Sequence, residues 1–212
     1  MNIIPYGKHF IDNQDIKAVT KVLKTPQITQ GKLVKKFEDK ICKITGAKYA
    51  IAVSSCTAGL HISLQSLGFK QNDYLLTSVI TFVSSPNSAL FLKGKVGFVD
   101  IENNDSVSMC LKDLENKIKK YKPKVVMPVH MGGASYNFSI IKRLSKKYKF
   151  RIIEDAAHSF GASYDNKYKI GSCRYSDITV FSFHPVKTVT TGEGGVITTN
   201  NFNLYLKCLR LR

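Results

Sequence analysis

The chain has 212 residues, 43% of them hydrophobic, with 32 lysines and arginines against 15 aspartates and glutamates. That is enough apolar material for one globular core, no apolar run approaches a bilayer-spanning length, and Met1 to Phe10 lacks the basic-then-apolar pattern of a secretory leader. A cytoplasmic protein is expected, and five scattered cysteines (Cys42, Cys56, Cys110, Cys173, Cys208) without metal-ligand spacing argue for reduced thiols rather than a disulfide frame or zinc site.

Asp12 to Leu23 and Leu33 to Ile44 carry helical periodicity, the second ending at Gly46. Tyr49 to Val53 is strand-like, Ser54-Ser55-Cys56-Thr57-Ala58-Gly59 is small and polar, and Leu60 to Leu67 is a helical run. Small residues opening a helix expose backbone N–H groups where the dipole favours an anion, and Thr57 adds a hydroxyl. An ordinary Ser/Thr cap explains the same segment equally well. Tyr74 to Ser78 predicts a strand, followed by Thr81-Phe82 and a helix near Pro86 to Leu92. Phe82, taken alone, reads as an aromatic packing in the core. Lys95 to Asp100 predicts another strand.

Leu111 to Tyr121 is an amphipathic helix, and Lys124 to Val129 is a strand ending at His130-Met131-Gly132-Gly133. His130 either reaches a site at the strand end or is a loop histidine satisfied by backbone. Ile140 to Tyr148 is the next helix. The formal charge of +17 raises nucleic acid as a partner, for which a basic patch with interleaved aromatics is the footprint. The lysines instead spread through helical stretches such as Leu111 to Lys124 and Ile141 to Lys149, as solvated faces, with no nucleic-acid-binding motif beside them. No specific nucleic-acid partner is expected; attraction for a small anionic substrate is the milder consequence.

Arg151-Ile152-Ile153-Glu154-Asp155 reads as a buried strand ending in an acid, followed by Ala156-Ala157-His158-Ser159. In a parallel α/β sheet ligands sit beyond the carboxyl ends of the strands, so Asp155 either faces a ligand or caps a following helix. A carboxylate facing a pyridinium nitrogen keeps that nitrogen protonated, the requirement of pyridoxal phosphate chemistry. Ile178 to Phe183 is the next strand, and it leads through His184-Pro185-Val186 to Lys187 and then to Gly192-Glu193-Gly194-Gly195. A lysine held at the mouth of a sheet is poorly solvated, which favours the nucleophilic amine. Ser182 can add a hydroxyl from across the site. Gly195 to Thr199 is the last strand read. Alternating strands and helices predict a mostly parallel sheet between helices.

Taken together, these segments resemble the DegT/DnrJ/StrS sugar aminotransferases, which have the pyridoxal-phosphate fold type I architecture. The resemblance runs from Pro5-Tyr6-Gly7 through Thr29-Gln30-Gly31, Ser54 to His61 and Thr81-Phe82 to the Glu154-to-His158 and Ser182-to-Gly195 blocks. It implies that residues 1–212 are the cofactor-binding large domain of an α/β enzyme, with the rest of that domain and a small C-terminal domain following in relatives. Lys187 would be the Schiff-base lysine and Asp155 the partner of the pyridine nitrogen. Thr57, Ala58 and Ser182 would bind the cofactor phosphate, Phe82 would stack on the ring, and His158 would lie near its phenolic oxygen. Cys56 departs from the glycine of many relatives. Family members with histidine in place of that lysine are dehydratases, so Lys187 points to the aminotransferase branch. The wording around Lys187 is most similar to the branch of pseudaminic acid synthesis, which implies L-glutamate and a UDP-linked 4-keto-6-deoxy-N-acetylhexosamine as substrates and a homodimer as the assembly. Another keto nucleotide sugar, an inactive remnant keeping the fold, and a basic nucleic-acid binder remain as alternatives.

Overall fold

Local signals set most of the element boundaries. Asp12 caps α1 (Asn13–Leu23) by accepting from the Gln14 and Asp15 N–H groups, while Asp15 accepts from the Asp12 N–H. The next helix, α2 (Lys32–Thr45), stops at Gly46, whose φ of 79° is left-handed and whose N–H reaches the Cys42 carbonyl. After these come β1 (Tyr49–Val53), α3 (Cys56–Ser66), β2 (Tyr74–Ser78), α4 (Ser84–Leu90), β3 (Lys95–Val99), β4 (Ile101–Asn103) and β5 (Ser106–Met109). The chain then forms α5 (Leu111–Tyr121), β6 (Val125–Met127), a 3-10 turn at Met131–Gly133, α6 (Phe138–Tyr148), β7 (Arg151–Asp155), β8 (Ile178–Ser182), β9 (Gly195–Thr199) and α7 (Phe202–Leu211). This computed structural model describes residues 7–103, 106–134 and 137–212; Pro5 and Tyr6 lie outside them.

The main sheet has the order β1-β9-β8-β7-β6-β2-β3. Strands β3, β2, β6, β7 and β8 run parallel, and β9 runs against both β8 and β1. Alternation along each strand sends successive side chains to opposite faces. On one face Ile51, Val125, Ile153 and Val180 meet Leu60 and Leu64 of α3 and Leu204 of α7. On the other, Leu76, Val126 and Ile152 meet Leu114 and Ile118 of α5 and Ile141 of α6. Ile41 of α2 joins Ala50, Phe181 and Val196 beside them. This is the α/β layering that the alternation of elements predicts.

Several helices start earlier than their apolar pattern suggests. The α3 helix begins at Cys56 rather than Leu60, and α4 begins at Ser84 rather than near Pro86, because polar residues supply their first turns. The short β4–β5 hairpin and α7 are further elements beyond those read from the sequence. Helix α1 buries none of its residues, and Ile16, Val19 and Leu23 lie exposed on it. Among the described residues no helix is long and apolar enough to cross a membrane.

Glycine lets two backbone segments come close beside the sheet edge. A Cβ on Gly59 would stand 2.7 Å from Val180 Cγ1, so α3 lies flat on β8. A Cβ on Gly195 would stand 2.6 Å from the Ser55 carbonyl carbon and 2.7 Å from the Cys56 nitrogen, both backbone atoms with no freedom to swing away. Gly195→Ala is expected to cost about 1–3 kcal/mol through overpacking. Urea unfolding of the two proteins measures it, and an unchanged midpoint would show that the turn before α3 yields freely.

Candidate active site

Because β1, β2, β6, β7 and β8 all point the same way, their carboxyl ends open on one edge, where β9 begins. A cavity of about 510 Å³ lies there, and its lining includes Thr57, Phe82, Asp155, His158, Ser182 and Lys187. Ala58 is not among its lining residues. The Ala58 N–H donates to the Ser55 hydroxyl at 3.1 Å, and Ala58 lines a second cavity with Thr29, Gln30 and His61.

The start of α3 combines both readings of its sequence. Ser55 caps the helix through the Ala58 N–H, while the N–H groups of Cys56 and Thr57 have no hydrogen-bond partner among the described residues. Both residues line the cavity, so the helix turns its positive end and two uncapped N–H groups toward it. Thr57 Oγ1 and Ser84 Oγ share a hydrogen bond of 2.6 Å. Burial pushes the Cys56 thiol well above its usual pKa, and the Asp155 charge adds to the rise, so the thiol stays protonated.

Asp155 ends β7 and is buried. Its Oδ2 accepts from the Ser85 hydroxyl at 2.5 Å and its Oδ1 from the Ala157 N–H at 3.2 Å. Thr81 in turn donates to Ser85 at 2.8 Å. No helix follows Asp155, so the carboxylate tightens a turn rather than capping a helix. Glu154, one residue earlier, points to the opposite sheet face and bonds to His130 Nε2 at 2.7 Å. His130 is thus fully buried and held by a carboxylate as well as by backbone, while still lining the cavity.

Lys187 is half-buried in the loop between β8 and β9, its N–H donating to the His184 carbonyl. Backbone bonds from Phe183 to the Gly194 carbonyl and from Thr191 to the Phe183 carbonyl close the base of that loop. Beside it, Ser182 is buried at the end of β8. The ring of His184 is exposed, 3.8 Å from Glu193, and both residues line the cavity. Phe82 is 68% exposed, so it does not pack in the core; it stands on the cavity wall. Ser84, Ser85 and the Glu154–His130 contact went unread in the sequence, although the serines directly follow Thr81-Phe82. Among the described residues no cluster of three histidine, cysteine or acidic side chains could hold a metal ion.

His158 is held below the ordinary imidazole value of 6.5, by burial first and by the Lys187 charge second, against the opposing pull of Asp155. The unfolded chain therefore binds the proton more readily. Stability falls as pH drops from about 6.5 toward the lowered folded value. His158→Gln is expected to flatten the decline measured by urea unfolding between about pH 7 and pH 5; an unchanged slope would mean that other groups carry it. Ser85→Ala leaves the buried Asp155 oxygen without its donor and is expected to cost about 1–3 kcal/mol in the same assay. Equal stability of the two proteins would show that solvent replaces the hydroxyl.

Comparison with known proteins bears on this geometry. The chain is 39% identical over 212 residues to the UDP-4-amino-4,6-dideoxy-N-acetyl-beta-L-altrosamine transaminase of Campylobacter jejuni, covering 99% of this chain and 55% of that protein. It is 37% identical to the UDP-4-amino-4-deoxy-L-arabinose–oxoglutarate aminotransferase of Shewanella sediminis, covering 99% of this chain and 52% of the relative. The chain thus spans about half the length of the curated relatives it matches. Its structure superposes on Helicobacter pylori PseC, an aminotransferase involved in the biosynthesis of pseudoaminic acid, with a TM-score of 0.88 and 30% identity, covering 97% of this chain and 54% of that one. The PLP form of the sugar aminotransferase Spr1654 from Streptococcus pneumoniae gives a TM-score of 0.89 at 26% identity, covering 97% of this chain and 57% of that one. With residues 9–212 matched by the family's own sequence pattern, the chain belongs to the DegT/DnrJ/EryC1/StrS aminotransferase family.

Proposed function

We propose that residues 1–212 are part of the cofactor-binding large domain of an enzyme that uses pyridoxal phosphate to move an amino group from L-glutamate to a 4-keto nucleotide sugar, a UDP-linked 4-keto-6-deoxy-N-acetylhexosamine. One observation carries this reading: Lys187, buried Asp155 and the open end of α3 line a single cavity. An amine, a carboxylate and an anion site match the aldehyde, ring nitrogen and phosphate of that cofactor, so the residues present fit it. When bound, the cofactor supplies an electron sink for the carbon that loses a proton.

The chain's own groups then have distinct tasks. The Cys56 and Thr57 N–H groups, with the Thr57 and Ser182 hydroxyls, hold the phosphate; the Ala58 N–H joins them only by leaving Ser55. Asp155, ordered by Ser85 and Ala157, holds a proton on the ring nitrogen. Phe82 covers the ring from the cavity wall, and His158 serves its phenolic oxygen. Lys187 Nζ would hold the cofactor through its aldehyde and, as a free amine, would take the proton from the donor carbon and return one in the second half-reaction.

Similarity to the Campylobacter jejuni transaminase supports the sugar, and the oxoglutarate in the Shewanella sediminis relative's name supports glutamate as donor. The latter relative's arabinose substrate keeps a different keto sugar as the second reading. A homodimer, supported by the exposed apolar face of α1, and a place in the cytoplasm complete the proposal.

The test adds pyridoxal phosphate to the purified protein, records the visible spectrum, reduces with borohydride and maps the labelled peptide. A visible band trapped on Lys187 and bleached by L-glutamate is the expected result. Lys187→Ala is expected to abolish turnover with the UDP-4-keto sugar. Multiple turnover in that variant, or label on another lysine, would overturn the proposal, and turnover only with a keto pentose would select the second reading.

A further inference from the structure

The buried contact between His130 and Glu154 has no part in the proposed chemistry, yet it leads directly to a residue that does. The His130 ring is fully buried and stacks on Phe138 with centroids 4.5 Å apart and an interplanar angle of 10°. Its Nδ1 lies 3.2 Å from the Ala134 carbonyl oxygen, and its Nε2 lies 2.7 Å from Glu154 Oε2. A carbonyl oxygen only accepts, so Nδ1 must carry a proton. The short Nε2···Oε2 line holds another, which sits on the imidazole when Glu154 is ionised and on Glu154 when it is not. Nδ1 keeps its own proton in either case. The Tyr164 hydroxyl donates to both Glu154 oxygens at 2.8 Å, and burial, followed by the Glu154 charge, raises its pKa so that it remains a donor.

His130 thereby clasps the turn that follows it. The turn is also closed by Gly133 N–H on the His130 carbonyl and Ala134 N–H on the Met131 carbonyl, each at 3.1 Å. Gly132 and Gly133 sit at φ of 62° and 83°, the left-handed region that glycine takes without strain. In this arrangement the Gly132 N–H donates to His158 Nδ1 at 3.2 Å. A ring nitrogen that accepts an N–H carries no proton of its own. The charged groups acting on the His158 ring are Lys187 and Asp155; burial and the Lys187 charge outweigh Asp155 and favour the neutral ring. A neutral imidazole with a bare Nδ1 has its proton on Nε2.

We infer that His130 and Glu154 are positioning residues which, through the Gly132 N–H, fix His158 as the Nε2–H tautomer and so as a hydrogen-bond donor to an oxygen of the cavity's ligand. The identity of that oxygen, the phenolic oxygen of the cofactor, rests on the proposed function. The tautomer itself does not.

The test is a long-range proton–nitrogen NMR correlation on the imidazoles of the purified, cofactor-free protein at neutral pH. The expected pattern is an unprotonated Nδ1 and a protonated Nε2 for His158, and a protonated Nδ1 for His130. A His158 ring that averages between tautomers, or carries its proton on Nδ1, would overturn the inference without any variant. Glu154→Gln and His130→Asn are each expected to release His158 into tautomer averaging, and after addition of pyridoxal phosphate to shift the pH midpoint of its visible band. A His158 pattern unchanged in both folded variants would overturn the inference, and if one variant fails to fold the other decides. Failure of the unsubstituted protein to form a visible band, with His158 still the Nε2–H tautomer, would refute the cofactor reading and leave this inference standing.

Discussion

The candidate site depends on one pairing: β9 runs against its neighbours and bonds to β8 on one side and β1 on the other. In that register Gly195 stands opposite both Val53 and Ser182. The last residue of β1, the last residue of β8 and the first residue of β9 therefore lie in one row. The turn into α3 leaves from the first of these and the Lys187 loop from the second. Since the loop must return to β9, its base is fixed by the same ladder, and Phe183 extends that ladder by donating to the Gly194 carbonyl. A side chain at Gly195 would strike the Ser55 backbone, so the row closes without strain only around glycine there. Backbone pairing, more than any side-chain contact, brings an amine and the uncapped start of a helix to one cavity.

What could be read from the sequence follows from how local each signal is. The ends of β7 and β8, and hence Asp155 and Lys187, are marked by apolar runs that stop at a polar residue. Gly46 stops α2 because left-handed backbone suits it, a property of one residue. The β4–β5 hairpin escaped because its strands span only Ile101–Asn103 and Ser106–Met109, too few residues for an alternating pattern to register. The Asp155–Ser85 bond joins residues 70 positions apart, and the Glu154–His130 bond joins residues 24 apart; only folding reveals such partners. Phe82 taught the opposite lesson. Its type suggests core packing, whereas its place after β2 at the open edge leaves it exposed on the cavity wall.

Part of the positive charge is paired away from the cavity. On α5 and α6, Lys117 pairs with Asp113, and Lys119 and Lys147 share Glu115, all on helices whose apolar sides face the sheet. Such partly exposed pairs contribute little to stability, so they arrange the surface more than they hold the fold. Arg212 and Glu38 form a more sheltered pair, in which Glu38 Oε1 also accepts from the Ala52 N–H and so covers part of the free edge of β1. The cavity's own charges are few and opposed, with Lys187 and Asp155 both acting on His158.

Strand β7 carries two adjacent acids with separate surroundings, Asp155 at the cavity and Glu154 among His130, Tyr164 and Thr179 in the opposite layer. A slip of one residue along the ladder would exchange their faces. In one direction it would put Glu154 in the cavity and Ile153 opposite His130; in the other it would put Asp155 opposite His130 and Ala156 in the cavity. A one-residue insertion or deletion in this strand, or a drift of β7 against β6 and β8, would therefore disturb both layers together. The site can change by substitution at fixed positions, while the spacing of Glu154 and Asp155 is held by two layers of the protein at once.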